Sequence, residues 1–418
     1  MAASYPRVVA LNPPIPSSGP APVAKRARDF AASVFAEFTA LADRHAAVNL
    51  GQGFPNFPAP DFVKEAAQRA IAAEHNQYTR YGGHLGLVEA LAGQAEVDLG
   101  RQVDPLAEIQ ITAGATASLF GICQALVDPG DEVILFEPFY DSYPADVSLA
   151  GGVVRFVPLY PQPDGRWRFD PDELRAQFNE RTKLLFLNTP HNPTGKVFDA
   201  DELAQIAALC QEHDVIVVAD EVYERMTYDG VAMRRMAALP GMWERTLSIG
   251  SAGKTFSVTG WKVGWTIGPG PLISALRNVY QWMTFCVATP LQVALAEAVR
   301  LAPAVGYYES LAAMYQAKRD RLAAILDAAG LSPLLPEGSY FIVADVSGFG
   351  FATDDAFCRW LTAEIGVAAI PPGAFYSSAH KHLAHGLARF CFCKTDETLD
   401  AAAQRLSRLA ARSERNAS

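Results

Sequence analysis

Short apolar runs and amphipathic segments alternate through the middle of the chain. Apolar residues at helical spacing predict helices at residues 61–73, 115–127, 170–178 and 200–214. Between them, almost continuously apolar runs predict strands at residues 132–136, 153–157, 183–187, 215–219 and 246–250. Short apolar strands separated by helices are typical of a parallel sheet covered by helices on both faces. The pattern therefore predicts an α/β fold.

The pattern changes in the last third of the chain. Residues 270–330 are mainly helical, and strands at 339–346 and 387–393 follow, with a helix at 355–366 between them. A helix rich in Ala and Arg closes the chain. This part of the sequence predicts a smaller α+β domain.

The chain is expected to divide into four segments. The first residues are rich in Pro, Ala and Ser, a composition that is typical of a flexible arm rather than of a packed core. We predict a flexible N-terminal arm at residues 1–24 and an N-terminal segment at 25–60 that joins the small domain. A large α/β domain follows at 61–305 and a small C-terminal domain at 306–418.

Charge and composition narrow the classes of function. The 418 residues include 35 Lys and Arg but 45 Asp and Glu, so a nucleic-acid surface, which needs clustered cations, is not expected. No apolar run approaches the ~18 residues of a membrane span, and the start lacks the apolar region of a signal peptide. The six cysteines have no His cluster beside them that would complete a metal site. We expect a cytoplasmic protein without metal, membrane or nucleic-acid partners.

Several polar side chains directly follow predicted strands, where ligands of open α/β sheets collect. Asp220 follows strand 215–219, with Tyr223 three residues further on, and Asn192 lies in the turn NTPHNPTG after strand 183–187. Taken alone, Asp220 is equally well a helix cap or an ion-pair partner. Taken alone, Asn-Pro is a common turn signal.

Small residues at the start of one predicted helix favour an anion. Gly114, Ala115 and Thr116 stand between a strand and the helix at 115–127, and they leave the first backbone amides of that helix open. Many strand–helix turns share this pattern, so by itself it does not identify a ligand.

The stretch SIGSAGKTFSVTGWKVGW carries two lysines, Lys254 and Lys262, and no acid. One interpretation is the phosphate loop of a nucleotide hydrolase, because GKT resembles the end of G-x-x-x-x-G-K-[ST]. Ser248 stands where that motif has its first glycine, and two glycines interrupt the segment that would form the next helix. The other interpretation is an amine nucleophile, because a lysine in an apolar pocket near a second cation has a lowered pKa.

A pyridoxal phosphate site would use all of these residues. The cofactor needs a Schiff-base lysine, an acid at its pyridine nitrogen, donors for its phenolate oxygen, an anion site for its phosphate and an aromatic side chain against its ring. Lys254 fits the Schiff-base lysine, Asp220 the acid, and Tyr223 with Asn192 the donors for the phenolate oxygen. Ser251, Lys262 and the 114–116 turn fit the anion site, and Tyr140 fits the aromatic side chain against the ring. For Tyr140, core packing is the alternative.

S-x-x-K followed by GWKVGW occurs together with NTPHNPTG, ADEVYE and LARFCF. This combination resembles the class I aminotransferases of PLP fold type I. VNLGQGFPNFPAPDF, NQYTRYGG, EPFYDSY and GVAAIPPGAFY are similar to the branch of kynurenine/glutamine aminotransferases and bacterial methionine aminotransferases. The resemblance, over about residues 30–410, implies a mostly parallel seven-stranded sheet between helices, a smaller α+β domain and a homodimer with shared active sites.

The resemblance also implies a role for each matched residue. Lys254 would bind the cofactor covalently and transfer the proton, with Asp220 at the pyridinium and Tyr223 and Asn192 at the phenolate oxygen. The ring would stack on Tyr140. The phosphate would be held by Ser251, Lys262 and the amides of Ala115 and Thr116, helped by Tyr78 of the partner subunit. Arg389 would bind the substrate α-carboxylate, near Gly53 and Asn192, since its fork geometry suits a carboxylate.

The sequence departs from the aspartate aminotransferases at two places, one at the phosphate and one at the substrate side chain. Lys262 replaces an arginine that contacts the phosphate. The segment that carries their side-chain-carboxylate arginine reads QWMTFCVATP here and has no cation. Phe35, Tyr140, Trp282 and Phe285 instead suggest a pocket for a neutral, bulky side chain, although each is equally well a packing residue.

The sequence therefore predicts a pyridoxal-phosphate-dependent aminotransferase for amino acids of the methionine, glutamine, phenylalanine or kynurenine type. A cysteine S-conjugate β-lyase would use the same residues and is the alternative within the cofactor class. The nucleotide hydrolase is the alternative from another class. A ligand-sensing regulator on the same fold would need a DNA-binding domain, for which the N-terminal arm is too short.

Overall fold

The apolar runs become the strands of one large sheet. The structure is a computed structural model that describes residues 24–27, 33–162 and 164–416, so the predicted arm at 1–24 lies outside it except for residue 24. The strands are β1 Val48–Asn49, β2 Ile109–Thr112, β3 Glu132–Glu137, β4 Val153–Pro161, β5 Trp167–Phe169, β6 Thr182–Asn188, β7 Ile216–Asp220, β8 Thr246–Ser251, β9 Gly264–Ile267, β10 Ser332–Leu334, β11 Phe341–Asp345, β12 Val367–Ala368 and β13 Leu387–Cys391.

The amphipathic segments become helices close to their predicted positions. The α-helices are α1 Val34–Arg44, α2 Asp61–Ala72, α3 Leu85–Leu99, α4 Ala115–Leu126, α5 Ser142–Ala150, α6 Pro171–Ala176, α7 Ala200–Glu212, α8 Ala252–Thr255, α9 Gly270–Met283, α10 Thr289–Ala304, α11 Tyr307–Ala328, α12 Asp354–Trp360 and α13 Asp396–Asn416. Caps define several of these boundaries. The Asp199 carboxylate accepts hydrogen bonds from the amides of Asp201 and Glu202, and the Asp199 amide donates to the Glu202 carboxylate.

The large sheet has the strand order β2-β9-β8-β7-β6-β3-β4-β5. Strands β8, β7, β6, β3 and β4 run parallel, which confirms the predicted α/β fold with a mostly parallel sheet. Strand β9 runs antiparallel to both of its neighbours. The sheet has eight strands where seven were predicted, because the chain turns back at Gly165 and pairs the short β5 with the end of β4.

The register of the parallel strands brings the predicted polar residues to one edge. Asn188, the last residue of β6, lies opposite Asp220, the last residue of β7. Ser251, at the end of β8, lies opposite Gly264 of β9. Because parallel strands end on the same side of a sheet, the residues that follow them share one crevice.

Strands β10, β11 and β13 form a separate antiparallel sheet. Strand β1 pairs with β12, so an N-terminal segment is tied to the C-terminal part of the chain. This pairing supports the predicted grouping of residues 25–60 with the small domain, and the boundaries at 60 and 305 stay predictions.

Apolar side chains from the sheet and its helices form the core. Val133 and Leu135 of β3, together with Leu184 of β6, are completely buried and pack in one cluster with residues of α4 and α9. Burial of each such side chain contributes roughly 1.5–3 kcal/mol, so the apolar residues of the central strands stabilise the fold strongly. No helix in the described ranges is long and apolar enough to span a membrane.

Candidate active site

A cavity of about 230 Å³ lies at the carboxyl ends of the central strands. It is bounded by residues from strand ends, from the start of α4 and from β13. Twelve of the fifteen predicted site residues line it: Phe35, Gly53, Ala115, Thr116, Tyr140, Asn192, Asp220, Tyr223, Ser251, Lys254, Lys262 and Arg389. The structure thus brings together side chains that are spread over more than 350 positions of the sequence, from Phe35 to Arg389.

Lys254 is placed at the cavity by the helix that directly follows β8. Its Nζ donates a hydrogen bond to the Tyr340 hydroxyl over 2.8 Å. The pKa of Lys254 is lowered to about 8, mainly by burial; Cys393 and Asp220 act to raise it, and the charges of Lys262 and Arg389 act to lower it. The prediction that a second cation lowers the pKa of Lys254 is confirmed. The amine is therefore partly neutral near pH 8 and able to act as a nucleophile.

The phosphate-loop interpretation of the same stretch is wrong. The helix that carries Lys254 spans four residues, Ala252–Thr255, and a short 3-10 turn follows it. A phosphate loop needs a full helix whose first amides and lysine bind the phosphates together. Lys254 instead faces Tyr340 and the ring of Tyr223.

Asp220 lies at the end of β7 in an apolar surrounding. Its Oδ2 accepts a hydrogen bond of 2.7 Å from the Tyr143 hydroxyl. Burial raises the pKa of Asp220, while the Tyr143 bond and the charge of Lys254 act in the opposite direction. A buried carboxylate with a raised pKa binds a proton or a protonated ligand atom strongly.

The groups at the start of α4 could bind an anion. Gly114 precedes the helix with φ of 81°, and the amides of Ala115 and Thr116 are the first of α4. A Cβ on Gly114 would lie 3.1 Å from Nζ of Lys262, so the ammonium group is next to the helix N-terminus. Ser251 is buried at the adjacent strand end. Backbone amides, a hydroxyl and a cation together favour a phosphate.

Arg389 is completely buried in β13 and bonds only to uncharged acceptors among the hydrogen bonds of the described residues. Its guanidinium donates to Oδ1 of Asn192 over 3.1 Å and to the Gly51 carbonyl over 2.6 Å. Its Nε has no partner in the described part of the chain. Burial lowers the pKa of Arg389, which still remains a cation. A buried cation with a free donor is prepared for an anionic ligand, such as a carboxylate.

Aromatic rings form the other walls of the cavity. Phe35 lies with its ring 5.0 Å from the guanidinium carbon of Arg389, and Phe341 covers the same group at 4.3 Å. Tyr140 meets Tyr143 edge to face at 5.6 Å, and burial raises the pKa of Tyr140 to about 12. Burial also raises the pKa of Tyr223. Both phenols therefore stay protonated and can donate hydrogen bonds.

Three predicted site residues do not line this cavity. Tyr78 is 83% exposed and Trp282 is 85% exposed, and Phe285, which is 47% exposed, meets the Tyr78 ring at 5.3 Å. Tyr78 is the residue that was predicted to act from a partner subunit. For Trp282 and Phe285, a substrate contact would likewise require a second chain.

Tyr143 and Tyr340 hold the two central ionisable groups, Asp220 and Lys254, and were not predicted as site residues. The motif EPFYDSY contains both Tyr140 and Tyr143, and only Tyr140 was predicted as a site residue. Tyr340 lies 86 residues after Lys254 in the sequence, directly before β11 of the smaller sheet, so no local pattern connects the two.

The family model for "Aminotransferase class I and II" matches residues 46–406. The chain belongs to this family. Rattus norvegicus kynurenine–oxoglutarate transaminase 3 is 47% identical over 401 residues, covering 91% of this chain and 88% of that protein. Relatives of this kind show that the chain is an aminotransferase, and they confirm the predicted family.

Solved structures agree with this assignment. YbdL from Escherichia coli, for which a methionine aminotransferase function was identified, is 40% identical with a TM-score of 0.88, covering 95% of this chain and 100% of that chain. N-Succinyldiaminopimelate aminotransferase from Mycobacterium tuberculosis is 42% identical with a TM-score of 0.89, covering 93% and 100%. The aminotransferase has PLP fold type I.

Proposed function

We propose that this aminotransferase uses pyridoxal 5′-phosphate and transfers the amino group of an L-amino acid with a neutral, bulky side chain to a 2-oxo acid. The donors that we propose are of the methionine, glutamine, phenylalanine or kynurenine type. The observation that carries the proposal is the set of cations around the cavity. Among the described residues that line it, only Lys254, Lys262 and Arg389 are cationic, and each has a task that leaves none for a side-chain carboxylate.

The residues of the cavity fit the cofactor. Its phosphate would be held by Ser251, Lys262 and the first amides of α4. A Cβ at Gly114 would lie 3.1 Å from Nζ of Lys262, so a side chain there would displace the ammonium group. Asp220 would face the pyridine nitrogen, Lys254 would attach the cofactor, and the neutral phenol of Tyr223 with the amide of Asn192 would donate to its ring oxygen. Pyridoxal phosphate supplies an electron sink for the bond that breaks at the substrate α-carbon.

The protein side chains supply binding, orientation and proton transfer. Arg389 binds the α-carboxylate of the donor, because it is a buried cation with a free Nε. Asn192 orients the guanidinium through its Oδ1. Lys254, whose pKa is lowered to about 8, takes and returns the proton of the substrate α-carbon as a base near neutral pH. Asp220 would pair with a protonated pyridine nitrogen, because a buried carboxylate needs a cationic partner to stay ionised.

The relatives support a neutral donor. Kynurenine and methionine occur in the names of similar proteins. Phe35 and Tyr140 line the cavity in this chain and would contact such side chains. The neighbour named for N-succinyldiaminopimelate, a molecule with several carboxylates, represents the opposing possibility and has similar identity.

A homodimer with shared active sites completes the proposal. Tyr78, Trp282 and Phe285 are exposed aromatic residues, and the rings of Tyr78 and Phe285 are in contact, which supports burial of these side chains against a second copy. The cytoplasmic location stays a prediction.

The substrate proposal is tested by a panel of donors with one 2-oxo acid acceptor, measuring 2-oxo acid formation from each donor. We expect kcat/KM for methionine, glutamine, phenylalanine or kynurenine to exceed that for aspartate and glutamate by about 100-fold, since an unpaired buried carboxylate costs several kcal/mol. N-Succinyldiaminopimelate serves as the acidic control. Clear preference for an acidic donor would contradict the neutral pocket.

A further inference from the structure

The amine of Lys254 has a hydrogen-bond acceptor that is not among the residues lining the cavity. Its Nζ donates to the hydroxyl of Tyr340 over 2.8 Å. The same hydroxyl donates over 2.6 Å to the carbonyl of Gly53, which can only accept. Because a phenol has a single proton, the Tyr340 oxygen is an acceptor toward Lys254. The direction of both hydrogen bonds is thereby fixed.

We propose that Tyr340 is a positioning residue that holds the amine of Lys254 whenever the lysine is not joined to the cofactor. The inference rests on the proposed function, in which Lys254 is released from the cofactor and then moves a proton. A released lysine side chain has several rotatable bonds, and an acceptor at a fixed place reduces the orientations that it samples. A lysine that donates to Tyr340 keeps its lone pair available for the substrate proton.

The backbone around Tyr340 fixes its hydroxyl. Ser339 has φ of 62°, a left-handed conformation that is costly for a residue with a Cβ. The surrounding bonds maintain that conformation, since the Ser339 amide donates to the Met226 carbonyl over 3.0 Å and the Tyr228 hydroxyl donates to the Ser339 carbonyl. Tyr340 itself is completely buried. A tyrosine held in this way does not follow the movements of Lys254.

Gly53 provides the other end of the hydrogen-bond chain. A Cβ at this position would lie 2.6 Å from the ring of Phe341, so only glycine lets the carbonyl approach Tyr340 at the present distance. Gly53 was predicted as a substrate-binding residue. Its carbonyl accepts the hydrogen bond of the Tyr340 hydroxyl. The inference therefore gives Gly53 a second role, which is to hold Tyr340 in position for Lys254.

Tyr340→Phe tests the inference, with Tyr315→Phe as the matched control. Tyr315 is also completely buried, and its ring centroid lies 5.9 Å from that of Tyr340. Both variants lose one buried hydroxyl and keep the ring. Equal thermal unfolding midpoints establish that both are folded to a similar degree.

The first measurement is competitive acetylation of Lys254 in cofactor-free protein, followed against pH by mass spectrometry. The titratable groups around this amine, which are the same in both variants, are Cys393, Asp220, Lys262 and Arg389. Loss of an acceptor destabilises the buried ammonium form, so in Tyr340→Phe the midpoint of the labelling curve is expected at lower pH than in the wild type. Tyr315→Phe is expected to keep the wild-type midpoint. Identical midpoints in all three proteins would overturn the inference.

The second measurement is the half-reaction of the cofactor-loaded enzyme with methionine alone. We expect about a tenfold lower maximal rate in Tyr340→Phe with an unchanged KM, because Tyr340 acts on Lys254 and does not contact the donor. A raised KM at an unchanged maximal rate would count against the inference. If the wild-type enzyme itself showed no half-reaction, the proposed function would fail, and the acetylation curves would still decide whether Tyr340 holds Lys254.

Discussion

Lys254 and Lys262 lie eight residues apart and have opposite requirements. Lys254 must lose its proton to react, and burial supplies most of the lowering of its pKa. Lys262 lies beside the N-terminus of α4, where a positive charge is useful only if an anion binds. No acid stands in the stretch between them, because a carboxylate there would compete with a bound phosphate and stabilise the protonated form of Lys254.

The lowered pKa of Lys254 predicts a specific pH dependence. A lysine whose pKa is lowered from 10.5 to about 8 becomes mostly neutral as the pH rises from 7 to 9. Acetylation of Lys254 in cofactor-free native protein should therefore increase through this range and then level off. The same lysine in urea-unfolded protein is the control and should become reactive only at higher pH. A native midpoint equal to the unfolded one would contradict the burial argument.

The ionisable residues of the site could be predicted from the sequence because each follows a strand or a recognisable motif. Asp220 and Lys254 come directly after apolar runs, and Arg389 lies in LARFCF. Tyr340 could not be predicted, since its role rests on a contact with Lys254, 86 residues earlier in the sequence. Such a contact depends on how the segment before β11 is placed against α8, and local periodicity carries no information about that.

In the proposed cofactor site, phosphate binding would depend on the N-terminus of α4. Its first amides, the ammonium group of Lys262 and the end of β8 meet around Gly114. Gly264 of β9 also approaches closely, since a Cβ there would lie 2.8 Å from the Ala115 amide. Small residues therefore allow a helix end and two strands to converge on one anion.

Gly114→Ala should weaken the binding of pyridoxal 5′-phosphate. The added Cβ would lie 3.1 Å from Nζ of Lys262, and φ of 81° is strained for alanine. Strain of ~1–2 kcal/mol, together with displacement of Lys262, predicts at least about a tenfold higher Kd by fluorescence titration. The binding of pyridoxal without its phosphate should change little. Gly93→Ala, where a Cβ meets open space, is the control.

Equal losses for pyridoxal 5′-phosphate and for pyridoxal in Gly114→Ala would contradict the assignment of this helix end to the phosphate. A large fall in the unfolding midpoint of Gly114→Ala alone would likewise point to a structural effect rather than a local one.

The central strands could be predicted closely, and the irregular elements could not. Continuous apolar runs mark β3, β6 and β7 to within a residue or two, because both faces of these strands are buried. The predicted strand at 339–346 begins later, at Phe341, since the left-handed Ser339 cannot continue a strand. The helix predicted at 355–366 changes into a π-turn at Leu361–Ile365, a local change in hydrogen bonding that hydrophobic spacing does not reveal.

At the scale of the whole molecule, exposed aromatic residues mark a surface that a second copy of the chain would cover. Tyr78 and Trp282 are more than four-fifths exposed, although large aromatic side chains gain most from burial. A second copy of the chain that covers them would also explain why three predicted site residues lie outside the cavity. A shared active site therefore predicts that each subunit depends on its neighbour.

Mixing two inactive variants tests that dependence. If Tyr78 acts across the interface, each site of the dimer combines Lys254 of one subunit with Tyr78 of the other. A dimer of one Lys254→Ala subunit and one Tyr78→Ala subunit then has one site that lacks both residues and one site that is intact. Random exchange of subunits should then restore about a quarter of the wild-type activity. The two unmixed variants, carried through the same exchange procedure, are the controls. No recovery after proven exchange would show that Tyr78 acts within its own chain or not at all.

The central claim is that this chain transfers an amino group through a cofactor held at Lys254. The most direct test is the visible absorption of the protein loaded with pyridoxal 5′-phosphate, followed with methionine and no acceptor. We predict that the band of the lysine-bound cofactor disappears, that about one 2-oxo acid forms per subunit and that a 2-oxo acid restores the band. Lys254→Ala should neither show this band nor turn over. Full turnover by Lys254→Ala, or a wild-type band that no amino donor changes, would contradict the claim.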